Sequence, residues 1–459
     1  MRLPFLDRHE ETNRLTRLVQ RDEGSLGVLY GRRRCGKSRI LRETAPPDRS
    51  VFFVGDDRDA ALQRSSVAVE IGRTLEGFDS VTYPDWAALL ARWWRDGPTG
   101  TVLILDELPS LVSKAPELPS LLQKHIDRDS GLGLHLLVAG SSQRMMQGLV
   151  LDRSAPLYGR ATEILKIAPL AAGWIEDALN IADPGEAIEA FAVWGGVPRY
   201  WELAADHAGL ASAVRELVLD PLGVLHEEPG RLLLDDLRDT TQAASILSLV
   251  GQGCHRVSEI AGRMGKPATS LGRPLQRLME MDLVEREVPF GESVRGSRRT
   301  LYRIRDPFLR FWFRFVEPNR SRLEARQLDA VTGEIAAAMG HHVGGVWEDL
   351  ARRSVPLLAP RSAGWGPARR WWGAGLDRKP LEIDLVAEDA SRKRLLIGEV
   401  KWASPRHGRR LLEELERKIN RLPFVDGREV VPMLWLIKAP DDVPRKRVVT
   451  PRQVLDALR

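Results

Sequence analysis

The eight residues Gly31, Arg32, Arg33, Arg34, Cys35, Gly36, Lys37 and Ser38 constrain this chain more than any other stretch, because they fit GxxxxGK[ST], the phosphate-binding P-loop. The pattern requires a buried strand before it and a helix after it. Gly27 to Tyr30 reads as that strand, and Arg39 to Glu43 as the helix. Glycines let the backbone curl until successive N–H groups point at phosphate oxygens, and the helix adds the positive end of its dipole. All eight residues are therefore expected to cradle a nucleoside triphosphate, with Lys37 on its β- and γ-phosphates and the Ser38 hydroxyl on Mg²⁺.

A second element should follow, and it does. Val102 to Glu107 is an apolar run ending in two carboxylates, the Walker B form, about 70 residues on. Asp106 is expected to hold the Mg²⁺ shell and Glu107 to polarise the attacking water. Alone, Asp106-Glu107 would read equally well as a helix start; behind a P-loop, the catalytic reading prevails. A third run, Leu134 to Gly140, ends in Ser141-Ser142, which on local grounds is a strand-to-helix cap.

At 459 residues the chain holds about three domains of ~150 residues. A net charge of +5 is too small to establish nucleic-acid binding. The two cysteines, Cys35 and Cys254, support neither a disulfide framework nor a Cys-rich zinc site, so a reducing, cytoplasmic setting is expected. The N-terminus has no apolar signal region, and no run approaches ~18 apolar residues, which argues against secretion and membrane spanning.

Residues 1–168 alternate strand-like runs with amphipathic helices, which predicts a P-loop core with a parallel α/β sheet. Residues 169–236 read as a helical lid. Its Gly195-Gly196-Val197-Pro198 turn is either a helix stop and restart or a loop that brings Pro198 to the nucleotide. Residues 237–318 read as a winged helix: three helices, then a Gly/Arg-rich hairpin from Gly291 to Arg299. Between 256 and 305, eleven Lys or Arg stand against six Asp or Glu, an excess equal to that of the whole chain. Arg273 and Arg277 on the third helix, with Arg295, Arg298 and Arg299 on the wing, either contact DNA phosphates or belong to a packing module. The aromatic stretch Asp306 to Val316 reads as a buried helix rather than a base-stacking platform.

A second chemical constellation lies in residues 319–459. Glu382 to Ala387 and Leu395 to Trp402 read as two strands of a hairpin. Period two puts Glu399 and Lys401 on one face with Val400 turned into the core. Asp384 and Glu399 are expected to hold Mg²⁺ and Lys401 to orient or activate water, as in a metal-dependent phosphodiesterase. An isolated E-x-K triplet would be a surface ion pair; the preceding Asp384 and the apolar strands favour a site. Glu348, on a helix before these strands, is the further metal-ligand candidate.

Taken in order, Asp7-Arg8, the P-loop, Leu105-Asp106-Glu107, Gly140-Ser141-Ser142, Tyr158-Gly159-Arg160, Gly195 to Tyr200, Asp306 to Trp312, and Glu382 to Trp402 resemble archaeal-type ATPases of the STAND group. These carry a C-terminal DUF234 domain similar to PD-(D/E)XK nucleases. The resemblance implies an ASCE-type α/β core, a lid, a winged helix and a restriction-endonuclease-like α/β end. It implies ATP as nucleotide, Ser141 as a γ-phosphate sensor, and Arg160 as an arginine reaching the γ-phosphate in cis or across subunits of a homo-oligomer. The expected function is an ATP-hydrolysing switch coupled to a DNA-binding, metal-dependent nuclease domain. The alternative is a STAND-type regulator that binds ATP and DNA, or a protein partner, without cleaving.

Overall fold

Strands form where apolar and β-branched residues run together between turns. A computed structural model of the protein, describing residues 3–128, 133–236, 240–293, 295–297, 299–358, 364–405, 407–425 and 427–459, bears this out in both halves of the chain. Contacts divide the chain into two units. One is Asp7–Pro169, and the other is Leu170–Arg459 with a short N-terminal piece ending at Leu6.

In the first unit β1 (Ser25–Tyr30), β2 (Ser50–Val54), β3 (Val102–Asp106), β4 (His135–Gly140) and β5 (Glu163–Lys166) form a parallel sheet in the order β2-β3-β4-β1-β5. Every residue of β3 and β4 is buried, as expected for central parallel strands covered on both faces. β4 stands between the P-loop strand and the strand that carries Asp106. Because all five strands run the same way, Gly31, Asp106 and Ser141 emerge together at one edge. Helices α1 (His9–Val19) and α2 (Lys37–Thr44) flank β1 in sequence.

The second unit begins with helices. Between α3 (Pro184–Trp194) and α4 (Pro198–Ala204) the Gly195-Gly196 turn has a complete structural reason. Gly195 has φ 59°, and a Cβ on Gly196 would lie 2.0 Å from the Leu170 carbonyl oxygen. Pro198 opens α4. In the segment expected to be a winged helix stand α5 (Thr241–Gly251), α6 (Val257–Met264), α7 (Gly272–Glu280) and the antiparallel pair β6 (Val284–Glu287) and β7 (Leu301–Ile304). In the aromatic stretch Phe308, Phe311, Trp312, Phe313 and Phe315 are all buried, as their spacing predicts.

The 27-residue α8 (Leu328–Ser354) leads into a mixed sheet of β8 (Arg369–Ala374), β9 (Pro380–Glu388), β10 (Arg394–Val400), β11 (Glu429–Trp435) and β12 (Val448–Val449), in order β12-β11-β10-β9-β8. β8, β9 and β10 pair antiparallel; β10, β11 and β12 pair parallel, with α9 (Gly408–Ile419) crossing between β10 and β11. β9 carries an extra residue: Arg369 pairs with Val386, but Trp371 pairs with Ile383. This bulge falls at Asp384-Leu385. It flips the parity of the strand, so that Leu381 and Ile383 share a core with α9 while Leu385 and Ala387 join the core containing α8. Among the described residues no helix is long and apolar enough to cross a membrane.

Candidate functional site

The phosphate loop is shaped by what its backbone must avoid. Gly31 has φ 139°, and a Cβ there would stand 2.4 Å from the Ile167 carbonyl oxygen, so only glycine fits. Gly36, at φ 90°, caps α2. Lys37 is buried, and its Nζ donates to the Gly31 and Arg32 carbonyls at 2.8 and 3.1 Å. Burial lowers its pKa, while Glu107 and Asp106 pull the other way. Ser38 is exposed at the start of the helix. Arg8, buried and left-handed at φ 70°, donates from Nη2 to the Cys35 carbonyl at 3.4 Å and the Ala168 carbonyl at 2.5 Å. It ties the loop to the chain that leaves β5, a role that the local sequence does not reveal.

At the end of β3, Asp106 is buried, and its Oδ1 accepts from the Glu107 amide at 3.0 Å. Glu107 has φ 52°. This turns its carboxylate toward β4, where the Ser141 hydroxyl and amide donate to Oε2 at 2.9 and 3.3 Å. The cap belongs to the neighbouring serine: Ser142 Oγ accepts from the Met145 amide. The capping contact is thus made by Ser142, while Ser141 faces Glu107.

Arg160 is not brought to the phosphate loop. Its guanidinium makes two hydrogen bonds to Asp127, at 2.7 and 2.8 Å. It precedes β5, where Thr162 donates to the Leu26 carbonyl, and so lies at the N-terminal edge of the sheet. The loop lies at the C-terminal edge, five residues further along β1, or ~16 Å away at ~3.3 Å per residue. The expected contact in cis is therefore corrected. Pro198 belongs to the second unit, where it opens α4.

In the C-terminal sheet the bulge turns Asp384 toward β10. There Asp384 Oδ2 accepts from the Val400 amide at 2.9 Å and lies 3.7 Å from Lys401 Nζ. Lys401 Nζ stands 2.9 Å from Glu399 Oε1, and Lys418 Nζ, on α9, 2.7 Å from Oε2. Asp384, Glu399 and Lys401 therefore meet as the sequence pattern predicts. Lys418 joins them without a signal in the sequence, where it is one charge among many on an amphipathic helix. Burial and then Glu399 push the Asp384 carboxyl above the usual range, and burial and then Asp384 do the same for Glu348. Glu348 also faces Arg352, at 3.6 Å.

Among the described residues, the three carboxylates whose oxygens lie within 4.8 Å of one another are Glu285, Glu287 and Asp349, which the sequence does not single out. Arginines balance this group. Asp349 contacts Arg303, Arg310 and Arg352 at 3.4, 2.8 and 2.5 Å. Burial raises its pKa, but these arginines more than reverse the shift. The group thus forms an ion-pair network between the β6–β7 pair and α8. Arg352 also donates to the Asp384 carbonyl at 2.9 Å.

The wing is not a free hairpin. The Phe290 amide donates to the Arg370 carbonyl, and Arg299 Nη1 to the Trp372 carbonyl, both at 2.9 Å. Arg295 is exposed, and Arg298 lies outside the described residues. Arg273 and Arg277 stand exposed on the outer face of α7.

The oxygen donors Ser38 and Asp106 suit Mg²⁺, as do Asp384 and Glu399. Comparison with known proteins supports an ATPase in the first unit. Residues 5–202 match an ATPase domain predominantly from Archaea. Residues 312–418 match DUF234, a family of archaeal and bacterial proteins of unknown function, and span Glu348, Asp384, Glu399, Lys401 and Lys418. An uncharacterised protein of Methanocaldococcus jannaschii is 29% identical over 435 residues, 93% of this chain and 94% of that one. The Walker-type ATPase of Pyrococcus abyssi has a similar fold, with a TM-score of 0.52 and 19% identity over 68% of this chain and 96% of that chain. The chain thus carries an archaeal-type P-loop ATPase domain in its N-terminal part and a DUF234 domain in its C-terminal part.

Proposed function

We propose that ATP binding and hydrolysis in the first unit control a DNA-binding second unit, whose Asp384–Glu399–Lys401 site cleaves phosphodiester bonds with a divalent cation. In the first unit Lys37 exchanges the Gly31 and Arg32 carbonyls for the β- and γ-phosphate oxygens. Ser38 and Asp106 would hold Mg²⁺, which would supply neutralisation of phosphate charge. Glu107 takes the proton of the attacking water. Ser141 links binding to turnover: its hydroxyl leaves Glu107 for the γ-phosphate, and the released carboxylate aligns the water. Arg160, at the far edge of the sheet, serves a nucleotide only across the subunits of a homo-oligomer.

The observation that carries the second half is the convergence of Asp384, Glu399 and Lys401 at a strand bulge, where burial and then the neighbouring Glu399 work against the charged form of Asp384. Clusters held against such a cost are more often functional than structural. In this reading Asp384 and Glu399 hold the metal, Lys401 orients water, and Arg273 and Arg277 bind DNA phosphates. The second reading, a regulator that binds DNA without cutting, is favoured by one feature: both oxygens of Glu399 are held by ammonium groups.

Incubation of supercoiled and single-stranded DNA with the protein and Mg²⁺ or Mn²⁺ separates the two. The nuclease reading expects cleavage that falls at least 100-fold in Glu399→Ala and Lys401→Ala. Salt-sensitive binding that is lost in an Arg273→Ala/Arg277→Ala double variant, with no cleavage by wild type, selects the regulator.

A further inference from the structure

Between the winged helix and the edge of the C-terminal sheet lies a cleft of about 760 Å³, lined by Arg256 at the start of α6, Arg299 before β7, and Trp372 and Arg378 of the β8–β9 hairpin. Among its described lining residues three arginines stand against one carboxylate, Glu382, which is ion-paired with Arg370; Arg256 pairs with Glu259 at 3.8 Å, and Arg378 is exposed. Trp371 packs into the core beside α9. Strand alternation therefore turns Trp372 the other way, into the cleft, where it is half-buried. The guanidinium of Arg299 is fixed by the Trp372 carbonyl and by Glu292. Room for it depends on Gly373, where a Cβ would stand 2.3 Å from Nη1.

We propose that this cleft binds a single strand of nucleic acid, with a base against Trp372 and phosphates on Arg256, Arg299 and Arg378. A duplex is read by elements that protrude into its grooves, whereas a concave cleft has nothing to insert. A basic groove with an aromatic wall is the arrangement that tracks a strand whose bases are free to stack. Glu382 and Asp384 are two residues apart on β9, ~7 Å along the strand, so nucleic acid in the cleft runs toward the carboxylate site. The inference rests on the nucleic-acid role proposed above and specifies its substrate class.

The test is fluorescence anisotropy of the full-length protein in EDTA with a labelled 15-nucleotide oligo(dT), a duplex of equal length, and a labelled mononucleotide. The single strand should bind tightest. Trp372→Ala should weaken it by roughly 5- to 150-fold, the range of one base stack, and Trp372→Phe should recover most of the loss. Arg256→Ala and Arg378→Ala should each flatten the slope of log affinity against log salt by about 0.7. Unchanged circular dichroism and urea unfolding midpoints confirm that the variants fold. Preference for the duplex, or single-strand affinity undiminished in Trp372→Ala and in the Arg256→Ala/Arg378→Ala double variant, overturns the inference. If that retained binding disappears in Arg273→Ala/Arg277→Ala, the wider nucleic-acid reading survives; if wild type binds no nucleic acid, both are overturned.

Discussion

Glu107 combines a left-handed backbone with a carboxylate tethered to Ser141, and neither would be expected of a residue that merely starts a helix. Glu107→Gln should retain ATP binding and lose at least ~100-fold in turnover, as measured by phosphate release beside nucleotide binding. Lys37→Ala should lose the binding itself, and Ser141→Ala should bind ATP normally but turn over more slowly. Gly31→Ala should also abolish binding, since its Cβ would meet the Ile167 carbonyl. Lys37, Asp106 and Glu107 are legible in the sequence because phosphate chemistry fixes residue type and local spacing together. Lys418 is not legible, because its contact with Glu399 spans nineteen positions and depends on how α9 crosses the sheet.

Among the elements, α8 carries a pH dependence. His342 is buried with its Nε2 donating to the Ala192 carbonyl at 2.8 Å and its ring against Phe311 and Phe315. Burial holds its pKa down to about 3. The unfolded chain takes up this proton near pH 6.5 and the folded chain does so only near 3, so its contribution is complete above 6.5 and is lost as pH falls between them. The loss should reach on the order of 4 kcal/mol at pH 3. Urea unfolding from pH 7 to pH 4 should show this acid limb, and His342→Phe should flatten it. Strands and helices are legible from periodicity, including the aromatic stretch after the wing. The β9 bulge has no glycine or other local mark, and it is what aims Asp384. The sequence leaves the wing open between DNA contact and packing because the residues of β8 that receive it lie about 80 positions away.

At the scale of the whole molecule, Asp349 joins the β6–β7 pair to the carboxylate site, binding Arg303 on β7 and Arg352, which holds the Asp384 carbonyl. Asp349→Asn should leave these buried arginines without their anion and cost roughly 3–5 kcal/mol, readable as a lower urea midpoint. The order of motifs makes the ATPase and DUF234 domains legible; the Asp349 network is not, because its members are ordinary charges until the fold collects them. Nucleotide control of the carboxylate site is tested most directly by DNA cleavage with Mn²⁺, with and without ATP, in wild type, Lys37→Ala and Glu107→Gln. Wild-type cleavage should depend on ATP, Lys37→Ala should no longer respond to ATP, and Glu107→Gln should stay locked in the ATP-bound response. Cleavage that is absent throughout, or that is equal with and without ATP in all three proteins, would contradict the coupling.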